Sequence, residues 1–279
     1  LGVDAAIMFA DLLPILEPMG MKLDYIPGFG PNFENPVRTH ADIDNLSVQP
    51  AKESMPYIHD VIKLIRAELP KDIPLIGFGG APFTLASYAI EGKGSRNYVF
   101  VKQMMYGDTG AWHGLMEKIT DTVIDYMNYQ IDSGVQAVQL FDSWVGTLSP
   151  SDYREYVMPH SQRMMKEISG RVPVIHFGTG NPALAPLMAE AGGDVLALDW
   201  RTPLLETWNA TGVKSVQGNM DPIILCADKA SVKRKAKEVL DEVDGRPGHI
   251  FNLGHGIIPE TPVENVKALV DFVHEYSAK

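Results

Sequence analysis

Seven short apolar runs, each followed by a helical stretch or turn, constrain this chain more than any other feature. They are Ala5–Phe9, Pro74–Phe78, Gln136–Phe141, Val172–Phe177, Val195–Asp199, Ser215–Gly218 and His249–Leu253. Most are too short and too continuous for amphipathic helices, and they read as parallel strands covered on both faces. Between them, Met55 to Leu69 sets Ile58, Val61, Ile62 and Ile65 on one side, and Leu115 to Ile131, Tyr153 to Ile168 and Val263 to Tyr276 behave alike. Ser149 followed by Pro150 is an ordinary helix start. The alternation predicts an α/β chain of parallel strand–helix units, one domain over residues 1–279.

Seven strands do not close a barrel. The first run begins almost at Leu1, so the expected fold is a (β/α)8 TIM barrel lacking its first strand and the segment before it. A doubly wound sheet is the alternative, but no Gly-x-Gly-x-x-Gly follows the first strand. The two strands flanking the absent one would expose their edges, which predicts poor solubility. An apolar share of 45% supplies a sizeable core. The net charge of -11 argues against a nucleic-acid partner. Cys226 is the one cysteine, which excludes an internal disulfide and a multi-thiolate metal site; it reads as a small buried residue. With no membrane-length run and no signal peptide, a cytoplasmic protein is expected.

In such a barrel the chemistry sits where strands end. The first run ends in Phe9-Ala10-Asp11 and the second in Gly79-Gly80-Ala81-Pro82-Phe83-Thr84, with Tyr88 a turn later. The third ends in Leu140-Phe141-Asp142-Ser143-Trp144, the fourth in His176-Phe177-Gly178 and the fifth in Asp199-Trp200-Arg201. The sixth ends in Gly218-Asn219-Met220-Asp221-Pro222 and the last in Leu253-Gly254-His255-Gly256. Each residue also has a plain structural reading. Asp11, Asp142, Ser143 and Asp221 suit helix starts, Asp199 is equally ambiguous, His176 suits a hydrogen-bonded inner position, and Tyr88 suits the core. As a set, Asp11, Tyr88, Ser143 and His255, with Phe83, Phe141 and Trp144 between them, describe a mouth for a large flat organic substrate. Tyr25 to Pro31 reads as a loop or short hairpin over that mouth, and Glu91 to Asn97 as a second mouth loop. Arg38, Lys93, Arg96 and Arg201 lie in or beside such loops. They are ordinarily solvent-exposed, but any of them is a candidate for substrate capture.

Taken together, Phe9-Ala10-Asp11, Gly79-Gly80-Ala81-Pro82-Phe83-Thr84-Leu85, Leu140 to Trp144, Gln217 to Pro222 and Asn252 to Gly256 resemble the uroporphyrinogen decarboxylase family along the whole chain. The resemblance implies a cytoplasmic homodimeric barrel of haem synthesis, using neither metal nor organic cofactor. It implies removal of carbon dioxide from the four acetates of uroporphyrinogen III, giving coproporphyrinogen III. By resemblance, Asp11 accepts hydrogen bonds from the pyrrole N–H groups and Tyr88 stands near the reacting acetate. Ser143 is a polar contact, His255 meets a substrate carboxylate, and Phe141 is an apolar wall of the cleft; Phe83, from the mouth set, is a further expected substrate contact. The catalytic expectation rests on Asp11, Tyr88 and His255. The family's Arg-Gln-Ala-Gly-Arg run is not in this sequence, so the chain is expected to be N-terminally truncated and inactive unaided.

The residues bear on three other readings. A related zinc methyltransferase needs His-x-Cys plus a further cysteine; position 178 is glycine and Cys226 stands alone. An aldolase-like barrel needs a lysine at a strand end, whereas Lys214 precedes its strand. A non-catalytic tetrapyrrole-binding barrel would keep the cleft and lack turnover.

Overall fold

The computed structural model describes residues 1–8, 10–28, 30–168 and 170–278. Strand β1 (Ala6–Ile7) precedes an antiparallel hairpin, β2 (Leu23–Ile26) and β3 (Gly30–Phe33), and helices α1 (His40–Asp44), α2 (Ala51–Ser54) and α3 (Tyr57–Glu68). Next come β4 (Leu75–Gly80), α4 (Pro82–Glu91), α5 (Val99–Gly107) and α6 (Thr109–Ser133). Then β5 (Ala137–Asp142) leads to α7 (Pro150–Asp152), a π-helical turn at Tyr153–Val157, and α8 (Met158–Ile168). The rest are β6 (Val174–Gly178), α9 (Ala185–Ala191), β7 (Val195–Leu198), α10 (Leu204–Thr211), β8 (Ser215–Met220), α11 (Lys229–Val243), β9 (His249–Leu253) and α12 (Val263–Ser277).

Seven strands make one parallel sheet in the order β1-β4-β5-β6-β7-β8-β9. Strand spacing would put β5 and β8, three steps apart in a flat sheet, about 14 Å from one another. Instead Gln217 Nε2 donates to Gln139 Oε1 at 3.2 Å across the concave face. The sheet is therefore rolled, with Ile175, Phe177, Val195 and Ala197 packed inside it against Ile76 and Phe141. Among the described residues β1 and β9 do not pair. Near that opening Ile7 is 38% exposed and Ile250 43%, whereas the strands between are mostly buried. The fold is an incompletely closed α/β barrel.

The outer core lies between sheet and helices. Helix α6 buries Trp112, Leu115, Met116, Ile119, Val123 and Met127. It approaches β4 so closely that a Cβ on Gly79 would stand 2.6 Å from Met127 Sδ. From the same helix Gln130 accepts from Phe78 N–H at 2.9 Å and donates to Phe78 C=O at 2.7 Å, giving both backbone groups of that buried strand residue a partner. The helix expected over Tyr153 to Ile168 contains the π-turn instead of running straight. Pro159 explains this, because proline offers no N–H and clashes with the carbonyl four residues back. Cys226, expected to be buried, is exposed. It ends a short 3-10 turn, Pro222–Cys226, whose Leu225 takes the interior position.

Candidate active site

The strand exits split into two braced walls. On the first, Asp11 follows β1 and accepts from Leu13 N–H at 2.8 Å, as a turn-capping aspartate would. Phe9, the start of that motif, lies outside the described residues. The hairpin brings Tyr25 to the same carboxylate. Burial, then its hydrogen bond to Asp11 and the Asp11 charge, push the Tyr25 phenol above its ordinary range. Tyr88 stands one turn along α4 from Thr84, and burial, helped by the Asp11 charge, raises its hydroxyl to about 12. Tyr25 and Tyr88 are therefore neutral hydrogen-bonding groups beside Asp11 at physiological pH. Tyr88 packs on Trp144 at 4.3 Å between ring centroids, and Tyr98 meets Trp144 edge-on at 5.1 Å.

Asp142 fixes this wall from behind. Side chains alternate along a strand, so inward-facing Phe141 leaves Asp142 pointing to the helices. Its Oδ1 accepts from Thr84 Oγ1 at 2.8 Å, and that hydroxyl oxygen accepts from Trp144 N–H at 3.3 Å. Helix α4, which carries Tyr88, is thus tied to the β5 exit, which carries Ser143. Asp142 is fully buried, and loss of water pushes its carboxyl up to about 7 despite the bonds from Thr84. Asp142 braces the site from outside the cleft.

The second wall centres on Asp199, 1% exposed at the end of β7. It accepts from Thr179 Oγ1 (2.7 Å), Gly180 N–H (2.7 Å), Arg201 N–H (3.0 Å), Arg201 Nη1 (3.0 Å) and Thr202 Oγ1 (3.1 Å). Burial opposes its charge, yet these donors hold its carboxyl below the usual range. Gly254 seats directly on this corner, since a Cβ there would lie 2.3 Å from Trp200 N. His255 is exposed, edge-on to Trp200 at 6.2 Å and to Phe177 at 6.2 Å. Phe141 meets Phe177 edge-on at 5.8 Å, so rings floor the cleft from β5 toward His255.

Several expectations need correction. Phe83 is 0% exposed and faces Trp112 of α6 at 6.1 Å, so it packs in the outer core instead of lining the mouth. His176 also faces the helices: a Cβ on Gly193, before β7, would meet its Cβ at 3.4 Å, and burial lowers its imidazole to about 4. With His176 turned outward and glycine at 178, a His-x-Cys metal pair is not built. Arg38 turns away from the mouth, donating to Glu91 C=O at 3.3 Å and stacking on Phe100 at 3.5 Å. Asp221 accepts from Ile223 N–H at 2.9 Å, the plain helix-start role. Sequence reasoning missed Tyr25, whose role depends on the fold of the hairpin. It also left Asp199 undecided, because five local donors cannot be read from one aspartate.

A model of the family described as uroporphyrinogen decarboxylase (URO-D) matches residues 1–276. The uroporphyrinogen decarboxylase of Sorangium cellulosum is 52% identical over 276 residues, spanning 98% of this chain and 79% of that protein. That of Carboxydothermus hydrogenoformans is 51% identical over 280 residues, spanning 100% and 80%. Among solved structures, a methyltransferase from Methanosarcina mazei superposes with a TM-score of 0.83 at 23% identity, covering 99% of this chain and 81% of that one. At that identity the likeness speaks for the fold alone. The Asp11, Tyr88, Ser143 and His255 motifs stand inside the matched span, and this chain belongs to the uroporphyrinogen decarboxylase family.

Proposed function

We propose that the chain decarboxylates the four acetate side chains of uroporphyrinogen III to yield coproporphyrinogen III, with Asp11, Tyr88, Ser143, Phe141 and His255 as its substrate-facing residues. The observation that carries the site reading is the asymmetry of the mouth. A carboxylate flanked by two neutral phenols stands on one wall, a histidine on the other, and aromatic rings lie between. Direct loss of carbon dioxide from an acetate would leave an unstabilised carbanion. Protonation of a pyrrole ring carbon first creates an iminium-like electron sink. The C–C bond electrons then form an exocyclic methylene as carbon dioxide leaves. The methylene carbon gains a proton and the ring carbon returns one, so each turn consumes one proton per carboxylate. In this reading Asp11 accepts from the pyrrole N–H groups and favours the cationic ring, while Tyr88 and His255 orient the departing carboxylate. A homodimer in the cytoplasm belongs to the same reading. No helix among the described residues is long and apolar enough to cross a membrane.

The test is protein expressed from the complete open reading frame, given uroporphyrinogen III without oxygen. The products are oxidised and separated by carboxylate number. Seven-, six-, five- and four-carboxyl products, falling roughly 100-fold or more in Asp11→Asn, are expected. Folded protein that binds the substrate and returns it unchanged would instead support a tetrapyrrole-binding barrel.

A further inference from the structure

A substrate with eight carboxylates needs cationic partners, and this acidic chain must provide them locally. Of the four cations read near the mouth, Arg38 is turned away. Lys93 and Arg96 are exposed, and neither side chain has a hydrogen bond or ion pair among the described residues. Arg201 is different. Its Nη1 is fixed on Asp199 at 3.0 Å and its guanidinium lies over the Trp200 ring at 3.8 Å. Its side chain is nonetheless 48% exposed, and Nε and Nη2 have no partner among the described residues. The opposite side of the story is Asp199, which has four other donors. The arginine side chain is not required to satisfy it. What the pairing does is immobilise a long, flexible side chain with its Nε–Nη2 edge uncommitted, next to the tryptophan that His255 meets edge-on.

Resting on the decarboxylase reading, we propose that Arg201 is a further substrate-binding residue, presenting the free edge of its guanidinium to a carboxylate of the porphyrinogen beside His255. That edge offers two parallel N–H donors, which match a carboxylate in bidentate fashion. Holding the side chain beforehand lowers the entropy lost on binding.

The test uses full-length protein and two stable probes, uroporphyrin III and coproporphyrin III, with binding read from tryptophan fluorescence at two salt concentrations. Arg201→Gln is expected to bind uroporphyrin III roughly tenfold or more weakly, the scale of a lost hydrogen bond to a charged group. Its salt dependence should be shallower and its thermal midpoint close to wild type. Arg201→Lys, which keeps the charge but loses the fork, should fall between, and it serves where the glutamine variant folds poorly. Weakening for both porphyrins marks a propionate and weakening for uroporphyrin alone an acetate; either supports the proposal. Unchanged binding by folded Arg201→Gln overturns it. So does a loss shared fully by Arg201→Lys together with a lowered thermal midpoint, which marks a structural role. Wild-type protein that binds neither porphyrin and leaves uroporphyrinogen III unchanged overturns the decarboxylase reading and this proposal with it.

Discussion

Gly254→Ala should cost this protein several degrees of thermal stability, whereas Gly256→Ala two residues on should cost almost nothing. At Gly254 an added Cβ would stand 2.3 Å from Trp200 N, 2.9 Å from Asp199 C and 3.0 Å from Trp200 Cα. The first distance is about 1 Å short of an ordinary contact, and all three atoms are backbone. They cannot swing aside as a side-chain tip would, because Asp199 is held by five hydrogen bonds. Gly254 is itself anchored, donating to Met220 C=O at 2.7 Å. Overpacking typically costs 1–3 kcal/mol, and a clash against pinned backbone belongs at the upper end, about 3 kcal/mol. For a chain of this size that is a fall of roughly 6–12 °C in Tm. At Gly256 nothing lies within 4 Å of the built Cβ. Thermal unfolding followed by circular dichroism compares the two. Equal stability of both variants would refute the claim that the His255 loop is seated by close backbone contact.

Two further outcomes follow from buried titratable groups. Burial raises Asp142 to about 7, so the folded state holds its proton while the unfolded chain ionises near pH 4. Its destabilising contribution is absent below pH 4, grows as pH rises and is complete above pH 7. Asp142→Asn, which can keep the bond from Thr84, should gain on wild type by about 3 kcal/mol between pH 5 and pH 8 in urea unfolding; a flat difference would count against a neutral buried acid. His176 runs the other way, with burial lowering it to about 4. Its stabilising contribution is present above pH 6.5 and lost as pH falls toward 4, amounting to about 3 kcal/mol. His176→Leu should therefore flatten the acid side of the stability profile, and an unchanged slope would sink that account.

The strands were readable because buried parallel strands are continuous apolar runs: β9 coincides with His249–Leu253, and β7 begins where expected. The expected runs stopped short at β4 and β8, which continue through Gly79-Gly80 and Asn219-Met220. Glycine has weak strand preference, and here it is present because helix or neighbouring backbone comes too close for a side chain. The hairpin was legible from Pro27, Gly28 and Gly30, but its reach to Asp11 was not. Motif position put His255 just past β9 and Tyr88 on the helix after β4, where both stand. It failed for Phe83 because the first turn of a helix points residues toward both the mouth and the outer layer. It failed for Arg38 because Phe100, more than sixty residues away in sequence, offers a ring to stack on.

Asp142 and Asp199 brace different parts of the mouth. The first joins the helix of Tyr88 to the exit of Ser143. The second joins the exits of β6 and β7 and gives the His255 loop its seat. Between them lie apolar rings, which transmit shape but carry no directional bonds. The two walls can thus be retuned one at a time. Substitutions that reshape the His255 side leave the Asp11–Tyr88 side in register, a modularity that lets one half of the mouth diverge while the other keeps its shape.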